Sequence, residues 1–576
     1  MFTFGRPTPR RSLSGADIAQ LRRGAVYIIG PRPSADAERV DLVPYVKEGL
    51  FYREAPLPVW RIEGRAAAAK LAARGYRLSQ SYIPPSVRPY LEGRRSPRLG
   101  GRVASFYLDR GVVHWRMGGE AWKGGCPQAD YVASWGQPPP CPGLWVDLRR
   151  IYRRHLWLEA AERMGDAWLL KAARRRPEDA ADAVHALAAE AVAFLEALAA
   201  ATGIGVDAIL DVLERNSVAA VAEAVFHWEA ERRGYVLEDS RRLFDMPYFD
   251  MARGGKPGVY RGVAEFDFRS LFPSLAVKLG VDPTTARPCA GGYCFDGGPI
   301  ADVIKRWLEA RLRTGDKRLS EALKWLMNAG IGAWGKAGWG IVCEVCLLAV
   351  RGAAASLFDE AWRRLKPIYG DTDSIYVESS RAGDVAQWAS ALDGLTLELR
   401  GVWDVFILAP ARGGGAAEKN YIKAGGGVFE AKGGLLRPHD LPLAVRLRYR
   451  EVVEAALAGR DPADAAAEIL RAAPPEQLFV YRAVEVRRLA GLKRRGALHT
   501  AALYLARRCG GCEVVDVFYV PDGDLVYVPW AAVDRRLAAR PADEREVRAA
   551  AVSYIRRLWK LKALRLASGG QMKIVI

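Results

Sequence analysis

Asparagine is almost missing from this chain: Asn216, Asn328 and Asn420 are the only three in 576 residues. So little of a heat-labile amide, beside 85 Lys and Arg and 66 Asp and Glu, predicts a protein built for high temperature. No apolar run long enough to cross a bilayer is legible, which predicts no membrane partner. The start, Met1 to Arg11, is basic, but no apolar stretch of the secretory-signal kind follows it. Together these absences predict a soluble, cytoplasmic protein. Internal repeats and low-complexity tails are also lacking, which sets aside repeat architectures. Cys343-x-x-Cys346 and Cys509-x-x-Cys512 have the spacing of zinc half-sites, but no histidine joins them. Local disulfides or free thiols are the readier reading, and intracellular disulfides suit a hyperthermophile.

Positive charge, by contrast, is in excess. The formal charge of +19 predicts a large polyanionic partner, and the length allows several domains. Ala25–Ile29 and Leu57–Ile62 read as short strands, with a helix near Ala66 to Gly75. Residues 100–115 alternate like a strand, and 123–142 form a Gly/Pro-rich loop. The pattern from 144 to 234 is helical, with alanine-rich runs at 177–202 and 205–234. Val263–Phe268 is a strand that Pro273 brings to an end. Two helices follow, Pro299–Thr314 and Leu319–Gly332, around a Gly315-Asp316 turn, and then another, Val342–Leu365. Residues 413–434 are rich in glycine and carry Lys419, Tyr421, Lys423 and Lys432. The remainder mixes helices with a β-rich patch near Val514 to Val528.

The chemistry centres on Ile368-Tyr-Gly-Asp371-Thr-Asp373-Ser-Ile-Tyr-Val377, two β-prone runs around an acidic tip. An isolated Asp-x-Asp is more often a solvated turn, but these flanks bury the hairpin and hold its acids together. Two carboxylates that close repel unless a cation lies between them, and Mg²⁺ favours such oxygens while leaving room for a substrate phosphate. Asp267, at the end of a strand, supplies a third carboxylate. The set suits two ions of Mg²⁺, with Mn²⁺ as the alternative, for phosphoryl transfer. Such transfer also needs cations for a triphosphate. Lys324 and Asn328 share one helix face, and Arg311 on the preceding helix reaches the same cleft if the pair packs antiparallel.

These residues resemble the motifs of family B DNA polymerases. Asp267-Phe-Arg-Ser-Leu-Phe-Pro-Ser274 resembles motif A, Lys324-Trp-Leu-Met-Asn328-Ala-Gly-Ile-Gly332 resembles motif B, and Tyr369-Gly-Asp-Thr-Asp-Ser374 matches motif C. Lys419-Asn-Tyr421 looks like the Lys-x-Tyr motif that grips primer–template duplex. The resemblance covers roughly residues 20–565. It implies an α+β multidomain, right-hand polymerase: an N-terminal domain (1–100), a degenerate RNase H-like exonuclease region (101–235), palm (236–298 and 336–435), short helical fingers (299–335) and thumb (436–576). It implies metal ligation by Asp267, Asp371, Asp373 and the Phe268 carbonyl. Ser270, Leu271, Phe272, Arg311, Lys317, Lys324 and Asn328 would contact the nucleotide, and Lys419, Tyr421 and Lys423 the DNA. Phe272 stands in for the tyrosine that excludes a 2′-hydroxyl. The implied partners are primer–template DNA and dNTPs in a nucleoid-associated setting, with thumb Arg and Lys residues (446–450, 487–488, 493–495) on phosphates. Cys289/Cys294 and Cys343/Cys346 fall where archaeal relatives carry palm disulfides.

The departures from the family pattern matter as much. Ala329 and Ile331 replace the usual Ser and Tyr of motif B, which should loosen the check on the nascent base pair. In the proofreading domain Tyr107 stands where the first acid belongs, the second acidic motif has no room, and Glu178 replaces the tyrosine paired with Asp182. Loss of metal ligands predicts no 3′–5′ proofreading and suggests repair or lesion bypass. The coupling Tyr-x-Gly-Gly motif is replaced by Pro247-Tyr-Phe-Asp250. Little space between motifs A and C argues against protein priming. The whole most resembles the compact second family B paralogue of archaea. A sliding clamp is a candidate partner through Gln571–Ile576, although a simple terminal strand is the readier reading of that segment. Two competing readings are an inactive, polymerase-shaped DNA-binding scaffold and a nuclease using the same metals.

Overall fold

The computed structural model describes residues 26–568, apart from 35, 63–70, 72, 75–77, 81–82, 85, 110, 155–175, 215–216, 239–248, 250, 337–339, 412–414, 490–495 and 510–513. Most of the helix expected near 66–75, most of Pro247–Asp250, the basic run 493–495 and the terminal 571–576 lie outside the described residues.

Near the N-terminus, strands Val26–Ile29 and Val59–Ile62 form within the two stretches expected to be extended, and they pair antiparallel. The next sheet is built from β1 (Val103–Asp109), β2 (Val112–Met117), β3 (Glu120–Lys123), β4 (Tyr131–Ser134) and β5 (Leu144–Asp147). Its order is β5-β4-β1-β2-β3, with β4 parallel to both β1 and β5. On it packs α1 (Pro177–Thr202), whose alanines allow close approach to β1. By length and composition α1 could cross a membrane, contrary to the sequence expectation. Here Val184, Leu187, Val192, Leu195 and Leu198 are buried in the protein's own core. The helical stretch 205–234 divides into Val206–Leu213 and α2 (Val218–Arg232). The expected Gly/Pro-rich loop 123–142 contains β4, and β5 stands where the helical pattern was expected to begin at 144. A disulfide joins Cys126 to Cys141 on either side of β4, a pairing the sequence reading did not make.

The central sheet has seven antiparallel strands: β6 (Ala252–Gly254), β7 (Gly258–Phe268), β8 (Tyr369–Asp371), β9 (Ser374–Glu378), β10 (Leu397–Pro410), β11 (Ala416–Gly425) and β12 (Val428–Lys432). They lie in the order β6-β8-β9-β7-β10-β11-β12. The glycine-rich stretch thus becomes a hairpin of β11 and β12, since Gly426 and Gly427 adopt the positive φ its turn requires. Behind the sheet run α3 (Leu271–Lys278) and α6 (Glu344–Leu365), and the helical hairpin is α4 (Pro299–Arg313) with α5 (Lys317–Ala333). α5 begins two residues earlier than expected because the Asp316 carboxylate caps it, accepting from the Arg318 and Leu319 N–H groups. Cys289–Cys294 and Cys343–Cys346 are disulfides, and Cys509 is disulfide-bonded as well.

The base of the helical hairpin is tied to the central body by Asp282, which is fully buried. Its Oδ2 accepts from the Ile300 and Ala301 N–H groups at 2.8 Å each, capping α4 from a distance, and its Oδ1 accepts from Thr284. Asp282→Ala should destabilise the protein by about 2–4 kcal/mol, since two buried donors lose their acceptor. Urea denaturation would measure this, and a change below about 0.5 kcal/mol would remove Asp282 as the anchor of α4. The C-terminal region packs helices Tyr449–Leu457, Pro462–Ala472 and Glu544–Arg557 into a second core. It also carries a five-stranded sheet that extends the expected β-rich patch to Val480–Glu485 on one side and Ala539–Arg540 on the other.

Candidate active site

Sheet pairing brings the acids together. Asp267, next to last in β7, lies opposite Ser374, the first residue of β9, and Ser374 Oγ donates to Asp267 Oδ1 at 2.9 Å. The Phe268 N–H donates to the Asp373 carbonyl at 2.8 Å, fixing motif A against the hairpin tip. That tip is strained: Thr372 has φ +64°, and the Asp373 N–H donates back to the Asp371 carbonyl at 2.7 Å. A γ-turn with positive φ at a β-branched residue costs about 1–3 kcal/mol, offset by the two apolar strands and by the Thr372 N–H bond to the Met251 carbonyl. Gly370 is required beside it, because a Cβ there would stand 2.4 Å from the Phe358 ring.

The three carboxylates share one electrostatic space. The Asp373 carboxyl is pushed up to about 6, by burial first and then by Asp267 and Asp371, with Lys324 opposing. Asp371 is buried, with Lys432 Nζ at 2.9 Å from Oδ2 and Lys419 Nζ at 3.8 Å from Oδ1. Asp267 Oδ2 accepts from Arg400 Nη2 at 3.0 Å and Nε at 3.2 Å. Among the described residues no three acidic, His or Cys side chains stand grouped to hold an ion as they are. The all-oxygen donor set and its unrelieved repulsion around Asp373 nevertheless fit a hard divalent cation, once Arg400 and Lys432 give up their carboxylate oxygens.

Beside the acids lies a cleft of about 450 Å³, lined by Arg269, Arg311, Lys317, Lys324 and Trp325 among others. Antiparallel packing of α4 on α5 therefore brings Arg311, Lys317 and Lys324 to one place. Arg311 is nearly buried and donates to Ser270 Oγ, and Ser270 adopts φ +61° at the start of α3. The Arg311 guanidinium is held below the usual arginine range, first by burial and then by the charges of Arg269 and Arg400. Among the described residues its Nε has no hydrogen-bond partner, so the group is desolvated and short of anions. A polyphosphate would supply them. A second cavity, of about 420 Å³, is lined by Phe272, Asn328, Ile331, Gly332, Thr372 and Lys419, with Met251 and Arg351. Leu271 is part of the core, so only its backbone can face a ligand.

Of the three residues expected on DNA, only Lys419 reaches the acidic tip. Tyr421 is buried against Tyr369, Tyr376 and Phe406, and its OH accepts from Tyr376 at 3.0 Å. Lys423 is buried too, with Nζ 2.9 Å from Glu265 and 4.6 Å from the Trp403 ring centroid. Both therefore set the strand that presents Lys419, and neither offers its own side chain to a ligand. Sequence reasoning missed Arg269 and Arg400, and it noted Lys432 only as part of a glycine-rich run. The available signal was a cluster of cations on strands neighbouring motifs A and C, and only the strand order reveals it.

In the other sheet, the acids of the suspected nuclease motifs carry basic partners. Asp182 accepts from Arg116 Nε at 2.6 Å, and Glu178 lies 3.7 Å from Lys123 and 3.9 Å from His114. Asp147 accepts the Arg149 and Arg150 N–H groups as a helix cap, and Tyr107 is paired across the strand with His114.

No protein-family model matches the chain. It is 30% identical over 162 residues to DNA polymerase 2 of Aeropyrum pernix, a match spanning 22% of this chain and 20% of that protein. It is 30% identical over 129 residues to DNA polymerase 2 of Saccharolobus solfataricus, spanning 19% and 20%. The matched segments thus cover about a fifth of the length of these curated relatives. The fold is similar to that of the family B DNA polymerase from the hyperthermophilic archaeon Pyrobaculum calidifontis. The TM-score is 0.66 at 16% identity, over 96% of this chain and 95% of that one.

Proposed function

This chain has the fold of a family B DNA polymerase, and on that premise we propose that it is a template-directed DNA polymerase, adding deoxynucleotides to a primer 3′ end. The observation that carries the reading is the pairing of β7 with β9, which sets Asp267 beside the Asp371–Asp373 tip and the cationic cleft. Two Mg²⁺ or Mn²⁺ ions held by Asp267, Asp371, Asp373 and the Phe268 carbonyl would activate the primer hydroxyl and neutralise charge on the phosphate. Arg311, Lys317 and Lys324 bind the triphosphate, with Ser270 orienting Arg311. Phe272 closes the sugar side, and Asn328 and Ile331 line the space for the base pair. Lys419 contacts the primer–template near its reacting end, supported from behind by Tyr421 and Lys423. The regions 236–298 with 336–435, 299–335 and 436–576 act as palm, fingers and thumb. Arg446 and Arg450 belong to the duplex-binding surface, so binding should weaken steeply with salt.

Primer extension with Mg²⁺ and dNTPs, wild type beside Asp373→Ala, tests the reading. The wild type should extend and the variant should not. Failure of both to extend would favour a DNA-binding scaffold, a reading prompted by the cations that cover Asp267 and Asp371.

Proofreading is absent in this proposal, because Tyr107 offers no carboxylate where the first acid belongs and Glu178 stands in place of the tyrosine that should accompany Asp182. A labelled primer–template incubated with Mg²⁺ and no dNTPs should stay full length over a time in which extension goes to completion. Steady 3′ shortening would refute this. A role in repair or lesion bypass follows from Ile331 at the cavity wall, and extension opposite an abasic site against undamaged template is its test. A clamp-binding role for residues 571–576 is a further part of the proposal, tested by pull-down with a sliding clamp.

A further inference from the structure

Arg400 stands in an unusual position for a strand residue. In the pairing of β7 with β10, Glu265 lies opposite Gly401 and Phe266 opposite Leu399, so the register shifts there and Arg400 is the extra residue of a β-bulge. Bulges beside sites re-aim a side chain that regular alternation would send elsewhere. This one aims a guanidinium at Asp267, whose two carboxylate oxygens are then both engaged. Oδ1 accepts from Ser374 at 2.9 Å, and Oδ2 accepts from Arg400 Nη2 and Nε at 3.0 and 3.2 Å. Arg400 lies at 3.6 Å from Glu398 through Nη1 and is only half enclosed, which leaves solvent-side room for its guanidinium to turn. Its charge is felt by buried Arg311 in the triphosphate cleft, and Arg269 bridges the same ground, 3.4 Å from Glu398.

Resting on the polymerase reading, we propose that Arg400 is a positioning residue that occupies Asp267 in the nucleotide-free enzyme and releases it when a triphosphate arrives. The guanidinium then turns to the phosphate oxygens, and Asp267 becomes available to a divalent ion. The exchange is of counter-ions only, and no covalent bond forms or breaks. It makes ion binding at Asp267 weak in the resting enzyme and couples it to nucleotide binding. A planar guanidinium suits both partners, since it pairs with carboxylate and phosphate alike.

The test uses Mn²⁺ alone, without DNA or nucleotide, titrated into the full chain and followed by electron paramagnetic resonance of the free ion. Arg400→Gln should bind Mn²⁺ about tenfold more tightly than wild type, the scale expected for removing one positive charge at contact distance in a partly solvated site. Arg400→Lys, which keeps a charge but loses the fork, should fall between them. Adding Asp267→Asn to Arg400→Gln should abolish the gain. Arg269→Gln, which removes a neighbouring charge not bonded to Asp267, should change the affinity by less than about threefold. Equal affinities for wild type and Arg400→Gln, or equal gains for Arg269→Gln and Arg400→Gln, overturn the proposal. If those results come from protein that extends primers, only the role of Arg400 falls. If neither protein binds Mn²⁺ and neither extends a primer, the catalytic reading falls with it.

Discussion

Asp373→Asn should lose primer extension by a factor on the order of 10³ or more and yet melt at a higher temperature than wild type in metal-free buffer. Both effects come from one carboxylate. Asp373 is enclosed at a strained turn between two other acids, and burial with that repulsion raises its carboxyl from 3.8 to about 6. Below pH 3.8 the group is protonated in the folded and the unfolded chain and contributes nothing. Between 3.8 and 6 the unfolded chain has released the proton while the folded one keeps it, so stability falls as pH rises. Above 6 the penalty is complete, at roughly 2–3 kcal/mol. The amide removes the charge and leaves the Asp373 backbone bonds to Asp371 and Phe268 in place. Calorimetry in EDTA should therefore show the variant more stable at pH 7.5, with the difference shrinking toward pH 4. An equal or lower melting temperature at pH 7.5 would mean that the acids do not repel as described. Stability given up at this tip is what a divalent ion would restore on binding.

Glu344→Ala should cost about 3–5 kcal/mol, because it breaks a buried ion pair by removing one partner. Lys47, from the N-terminal strand Val43–Glu48, reaches Glu344 at the start of α6, and both side chains are almost wholly enclosed. Lys47 Nζ also donates to the Val342 carbonyl at 2.7 Å. Burial drives the Lys47 ammonium down, and Glu344 is what opposes this. Without Glu344 the buried Lys47 ammonium loses the carboxylate that opposes its burial, next to the Cys343–Cys346 disulfide that starts the helix behind the site. Replacing both partners, as in Lys47→Met with Glu344→Leu, should recover most of the loss because no charge remains to be solvated. Guanidinium denaturation of the two variants measures it. A loss below 1 kcal/mol in Glu344→Ala would show that the pair does not join the N-terminal strands to the central body.

Local pattern made much of the site legible. The apolar runs around Asp371 and Asp373 demand a buried hairpin, and the strand ending at Asp267 and the helix carrying Lys324 and Asn328 follow from their own periodicity. The order of these motifs along the chain pointed to the fold that the likeness to a solved polymerase then showed. Local pattern could not reveal the partners of those acids. Arg400 and Lys432 lie 133 and 61 residues from Asp267 and Asp371, and they reach them only because β10 and β12 take their places in the seven-stranded order. The same limit explains Tyr421 and Lys423: alternation along β11 puts them on one face, and only the aromatic cluster and Glu265 reveal that this face is the interior. It explains α1 as well, whose composition suits a membrane and whose place in the core is set by the sheet it covers. The sequence alone determined which side chains can hold a metal or a phosphate, because donor chemistry is a property of the residue. Tertiary structure decided which of them face one another, and so which charges are relieved and which are not, because Coulomb energy and desolvation depend on neighbours that strand pairing brings from far along the chain.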